Sequence, residues 1–209
     1  MITVVPSSST KKSLEEATHA YELQLEGSPG SQYLLSRGIT SEVAASFRLG
    51  FVGEPLPGDD HLRNRISIPY LTPAGVVGLQ LRATAVEAEK KYLPWRSGLP
   101  GRPFNVSALL QGGAVYLTEG EIDAISATLA GLPAVGISGA KKWKPVYARM
   151  FRFREVVILA DAGSAGSEFA EACVRDLEGA KIIYMPGDDV NYNLCRLGIE
   201  GLRKLVLDE

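Results

Sequence analysis

VYLTEGEID, residues 115–123, decides how the chain is read. An apolar run closes on Thr118, Glu119 and Gly120, and two more acids, Glu121 and Asp123, follow at once. An apolar run that stops at acids and a glycine reads as a buried strand carrying carboxylates at its carboxyl end. In open parallel sheets that end is where ligands bind. Glu119 is therefore placed at a candidate rim, and carboxylates gathered there suit a cation. What matters for the rest of the chain is which other groups reach the same rim.

Downstream, strand-like and helix-like segments alternate. Residues 115–119, 133–138 (PAVGIS), 155–161 (EVVILAD) and 181–186 (KIIYMP) read as strands. DAISATLA, KPVYARMF from Pro145, residues 167–177 and the stretch to Leu207 read as helices. Four such alternations predict an α/β fold whose mostly parallel sheet carries helices on both faces. Three of the strands end in acids: Glu119, then Asp161, then Asp188 and Asp189. One acid after a strand is readily a helix cap, favoured by the dipole. Three sets on one rim argue for a joint site. Hard divalent cations take oxygen ligands, so Mg²⁺ or Mn²⁺ is the expected ion. Such ions assist phosphoryl and nucleotidyl transfer. Zinc is not expected, because Cys173, Cys195, His19 and His61 lack zinc-ligand spacing. Asp123 is open to three readings: a first-turn helix acid, the holder of a basic residue, or the holder of a water in a metal shell.

Upstream the texture differs. LEEATHAYELQLE, from Ser13, predicts an amphipathic helix broken at Gly27-Ser28-Pro29-Gly30, and residues 1–10 are expected to lack order. Two short helices (SQYLLSRG, TSEVAASF) and a turn into a strand near 48–52 follow. RISIPYL and VVGLQLRA, joined by Thr72-Pro73-Ala74-Gly75, predict a β-hairpin. KKYLPWRSGLPGRPFN reads as a basic loop, in which Tyr92 and Trp95 either stack on bases or anchor the loop. A smaller α+β module is thus expected over 1–112 and the parallel-sheet domain over 113–209. Net charge is −4 over residues 1–60, +8 over 61–154 and −6 over 155–209. The basic middle reads as a face for a polyanion or as a solvated face with paired charges. The chain has no membrane-length apolar run and no signal-peptide pattern at MITVVPSSSTKK. A cytoplasmic location without a membrane partner is the expectation.

EGEID, DAGSAG and GDDVN, each after a strand, resemble the motifs of the Toprim domain. YLLSRGITSEVAASFRLGFV, RNRISIPYLTPAGVVGLQLRA and KKYLPWRSG resemble, in order and spacing, the segments that precede it in bacterial-type (DnaG-like) primases. The resemblance covers residues 30–200 and is to a small, phage-type primase core. It implies template-directed synthesis of short RNA primers from NTPs on single-stranded DNA, with a bacterial host cytoplasm as the setting. It implies Glu119, Asp161 and Asp189 as catalytic and metal-holding acids, with Asp188 and Asn191 in the same metal set. Arg63, Arg65, Arg82 and Lys91 are implied to face template or nucleotide phosphates, with Lys141 and Lys142 as further phosphate-binding candidates. Implied partners are a replicative helicase and a separate zinc-binding or template-recognition protein. The chain departs from the pattern at the D-x-D position, which reads Asp161-Ala162-Gly163. That departure keeps alive a DNA-binding module with weakened or lost turnover, and the Toprim motif alone also admits a nuclease.

Overall fold

A computed structural model describes residues 6–85, 88–96, 102–138 and 143–208. The chain divides into two compact units, Ile2–Arg102 and Pro103–Glu209.

The first unit sets helices against an antiparallel sheet. Helix α1 (Ser8–Glu22) starts earlier than its periodicity suggested, because the Ser7 hydroxyl accepts from the Thr10 N–H at 3.2 Å and caps it. Helices α2 (Pro29–Ser36) and α3 (Ser41–Ser46) are capped in the same way by Ser28 and Thr40. Strands β1 (Gly50–Phe51), β2 (Arg65–Thr72), β3 (Gly75–Ala83) and β4 (Tyr92–Pro94) pair in that order, all antiparallel. The β2–β3 hairpin is the expected one. Strand β4 lies inside the stretch read as a loop. Leu14, Ala17 and Tyr21 of α1 bury themselves against Leu79, Leu81, Leu62 and Trp95.

The second unit holds strands β5 (Val115–Thr118), β6 (Ala134–Gly136), β7 (Val156–Ala160) and β8 (Lys181–Tyr184) in the order β6-β5-β7-β8. All three pairings are parallel. Helices α4 (Glu121–Leu129), α5 (Ser164–Val174) and α6 (Val190–Leu207) complete the α/β arrangement. Phe169, Ala170 and Cys173 of α5 pack with Trp143 and Phe151 on Val115, Leu117, Ile158 and Ala160. Helices α4 and α6 pack on one another and contribute nothing to that cluster. Residues Pro145–Phe151, expected as an α-helix, form 3-10 turns instead. The unit also begins ahead of Gly113. Phe104 exchanges backbone hydrogen bonds with Gly136 at 2.8 and 3.2 Å, and Ala108 is fully buried in the parallel-sheet core. These contacts tie residues 103–112 to the sheet that follows them.

Candidate functional site

The central strands β5 and β7 are neighbours, with Leu117 opposite Ile158. Glu119 and Asp161 therefore leave adjacent strand ends at one rim, and both are half-buried. The Asp161 backbone N–H donates to the Glu119 carboxylate. The other oxygens are less well served: Glu119 Oε1 and Asp161 Oδ1 are buried without a hydrogen-bond partner. Burial raises the Glu119 carboxyl above its ordinary range. Burial first, and then the charges of Asp123, Glu119, Asp189 and Asp188, push Asp161 up to about 8. An acid whose proton is held by burial and by neighbouring negative charge is a group that a cation would relieve.

Strand β8 brings up the third set. Met185 N–H donates to Ala160 O and Ala162 N–H to Asp188 O, each at 2.8 Å, so the β7 and β8 ends are stitched together. Asp188 is exposed. Asp189 caps α6, its Oδ1 accepting from Tyr192 N–H at 2.6 Å. Asp123 Oδ1 accepts from Asn191 N–H at 3.1 Å, and Asn191 Nδ2 donates to Ser126 Oγ at 2.9 Å. Asn191 is 1% exposed, and this hydrogen bond turns its amide nitrogen toward α4. The structure thus gives Asn191 a place in the α4–α6 contact, which differs from the expected rim ligand. Asp123 is a first-turn acid of α4 that serves that contact and adds negative charge beside Asp161.

Two glycines shape the rim. A Cβ on Gly166 would lie 1.9 Å from the Asp161 carbonyl oxygen, so α5 rests its first turn on the Asp161 backbone only because residue 166 has no side chain. Gly163, at the second D-x-D position, has φ 92° and ψ −173°, a region that essentially only glycine occupies. The missing aspartate thus coincides with a backbone that disfavours one.

Among the described residues, no three His, Cys, Asp or Glu side chains already form an ion-holding group. The pair of buried, unpartnered carboxylate oxygens nevertheless fits a hard cation, which would satisfy both and relieve the charge around Asp161. A residue missed in the sequence is Glu121, 1% exposed, whose Oε1 accepts from the Ser138 hydroxyl beyond β6. The signal was present in EGEID, where Glu121, the second of three acids, follows Gly120.

The basic candidates of the first unit are placed variously. Arg63 is exposed and donates to Gly53 O at 2.5 Å, with Glu54 at 3.3 Å. Arg65 donates to Lys90 O at 2.9 Å. Lys91 is exposed, 6.0 Å from the Tyr92 ring. Arg82 departs from the expected phosphate-facing role: it is 6% exposed, donates to the Tyr33 and Tyr92 hydroxyls, and lies 5.6 and 5.0 Å from their rings. Cross-strand pairing sets Tyr92 opposite Arg82. Trp95 is buried and donates to Asp59 at 2.6 Å, which makes it an anchor of its loop. Lys141 and Lys142 lie outside the described residues. Cys173 and Cys195 form no disulfide among the described residues, and no described helix is long and apolar enough to cross a membrane.

With this geometry in hand, the Toprim-like family model matches residues 116–194, which span the whole rim. The Gene 57 protein of Mycobacterium phage D29 is 41% identical over 148 residues, covering 67% of this chain and 96% of that protein. The RNA polymerase domain of Mycobacterium tuberculosis primase DnaG superposes with a TM-score of 0.77 at 21% identity, over 96% of this chain and 83% of that one. A DnaG primase catalytic domain bound to single-stranded DNA gives 0.72 at 18% identity, over 94% and 77%. The fold is that of the DnaG primase catalytic core.

Proposed function

The chain belongs to the same family as the phage Gene 57 protein, and from that premise we propose that it is a primase catalytic core that makes short RNA primers on single-stranded DNA. The observation that carries the reading is the pair of unpartnered oxygens, Glu119 Oε1 and Asp161 Oδ1, at adjacent ends of parallel strands. In the proposed reaction the 3′-hydroxyl oxygen of one nucleotide attacks the α-phosphate of the next NTP. A phosphodiester bond forms, and the bond to pyrophosphate breaks. Glu119, Asp161, Asp188 and Asp189 would hold Mg²⁺ or Mn²⁺. When bound, such an ion supplies charge neutralisation for the phosphates.

The chain's own residues do the rest. Glu119, whose carboxyl is raised above its ordinary range by burial, accepts the 3′-hydroxyl proton on the oxygen that does not face the ion. Asp189, by capping α6, fixes the loop that carries Asp188. Exposed Lys91 and Arg63 attract template and NTP phosphates. A replicative helicase and a template-recognition protein are the proposed partners, and a host-cell cytoplasm is the proposed setting.

The test is labelled-NTP incorporation on single-stranded DNA with Mg²⁺ or Mn²⁺. Glu119→Gln is expected to lower synthesis on the order of 10³-fold. Unchanged synthesis would overturn the site. Gly163, standing where a second aspartate is usual, favours one other reading: a DNA-binding module that has lost turnover. That reading predicts salt-sensitive DNA binding with no product in either metal.

A further inference from the structure

The amino ends of β5 and β7, opposite the acid rim, carry a feature that the proposed reaction does not use. Arg154 N–H donates to Phe151 O at 3.1 Å, closing a four-residue turn before β7. Arg152 has φ −55° and ψ 133°, and Phe153 has φ 63°. These angles define a type II turn, whose third position normally takes glycine because φ must be positive. A bulky aromatic there is an outlier, and its ring is fully exposed. The turn is held firmly from both sides. Phe151 is 3% exposed, and Arg154 donates to Leu109 O at 2.6 Å and Gly113 O at 2.8 Å. Arg149 and Arg152, close to Phe153 in sequence, are exposed and form no ion pair among the described residues. The nearby acid, Glu155, is neutralised by Lys181 at 2.9 Å.

We propose that the Phe151–Arg154 turn, with Arg149 just before it, is a single-stranded nucleic-acid contact, with Phe153 as the stacking platform and the exposed guanidinium groups of Arg149 and Arg152 binding phosphates. An exposed aromatic ring with unpaired guanidinium groups in the same short segment matches the two elements that sequence-tolerant single-strand binding needs: a π-face for a base and positive charge for the backbone. The inference goes beyond the primer-synthesis reading. It rests on that reading only in choosing a nucleic acid over an acidic protein segment.

The experiment uses the full chain and a labelled oligo(dT) of about 30 nucleotides, with affinity read by fluorescence anisotropy across a salt series. Phe153→Gly restores the residue that the turn prefers, so it is expected to fold at least as stably as wild type while binding about tenfold more weakly. Phe153→Trp is expected to retain affinity. Arg152→Ala is expected to lower the dependence of log K on log salt by about one. Wild-type affinity in Phe153→Gly overturns the proposal. So does a change confined to self-association in sedimentation, which would mark the turn as a protein contact. Primer synthesis is measured in parallel. Its absence from the wild type sinks the synthesis reading alone, and unchanged affinity in Phe153→Gly sinks the turn alone.

Discussion

Each unit buries an aspartate, and the two are treated in opposite ways. In the first unit Asp59 is fully buried and fully served: the Tyr21 hydroxyl at 2.9 Å and the Trp95 indole N–H at 2.6 Å donate to Oδ2, and the Arg96 guanidinium lies at 2.5 Å from Oδ1. In the second unit Asp161 is only half-buried, yet its Oδ1 has no partner and four carboxylates press on it. The deeper of the two is the structural one, so burial does not by itself mark a functional acid. What separates them is whether the protein supplies the counter-charge. Asp59 is a hub that fastens the KYLPWR segment to α1. Asp161 is left for a cation from outside. On this contrast Asp59→Ala should cost about 4 kcal/mol, because a charged donor and two neutral ones are left unmatched. Urea denaturation reads it, and a loss below about 1 kcal/mol would erase the contrast from the structural side.

The other side depends on α5 lying against Asp161. Gly166→Ala puts a methyl where the Asp161 carbonyl oxygen already sits. It should cost about 3 kcal/mol and shift Asp161 enough to abolish primer synthesis. Normal stability with normal synthesis would mean that the rim tolerates movement, against the fixed placement argued above.

Asp161→Asn should move stability the other way. The folded-state pKa of Asp161 is raised from 3.8 to about 8, so the folded protein keeps a proton that the unfolded chain has released. That contribution is fully present below pH 3.8 and is lost as pH rises through about 8. Without divalent ions, Asp161→Asn should be more stable than wild type at pH 8.5 by on the order of 2 kcal/mol, with the gap closing toward pH 4. Millimolar Mg²⁺ should stabilise wild type at the higher pH and leave the variant unmoved. Parallel pH curves for the two proteins would show that Asp161 is not strained in the folded state.

The parallel sheet was legible because strands covered on both faces read as apolar runs, and VYLT and VVILA are such runs. Glu119, Asp161, Asp188 and Asp189 were legible for the same reason: each follows the point where a run stops. The first unit hid more. Strand β4 is three residues long and has no period of its own, since it exists by pairing with β3. An arginine in a segment of net charge +8 reads as solvent-facing, yet Arg82 is closed in by Tyr92 across the sheet and by Tyr33, which is 49 residues away. The burial of Asn191 needed the docking of α6 on α4, a contact that no local pattern announces. In each case the illegible part was made by partners distant in sequence.

Gly163 offers the smallest and most discriminating change. A Cβ there meets nothing within 4 Å, so space does not exclude the aspartate that the D-x-D position usually holds. The backbone disfavours it, through φ 92° with ψ −173°. Gly163→Asp and Gly163→Asn share that strain and should each cost about 1.5 kcal/mol in metal-free protein. Only the aspartate adds charge beside Asp161. It should therefore lose further stability as pH rises and recover more than wild type when Mg²⁺ is added, while the asparagine does neither. Thermal melts of the pair with and without Mg²⁺ read the difference between them. If the two variants melt alike in both conditions, the rim does not gather charge for a cation, and Asp161 belongs with Asp59 as a structural acid.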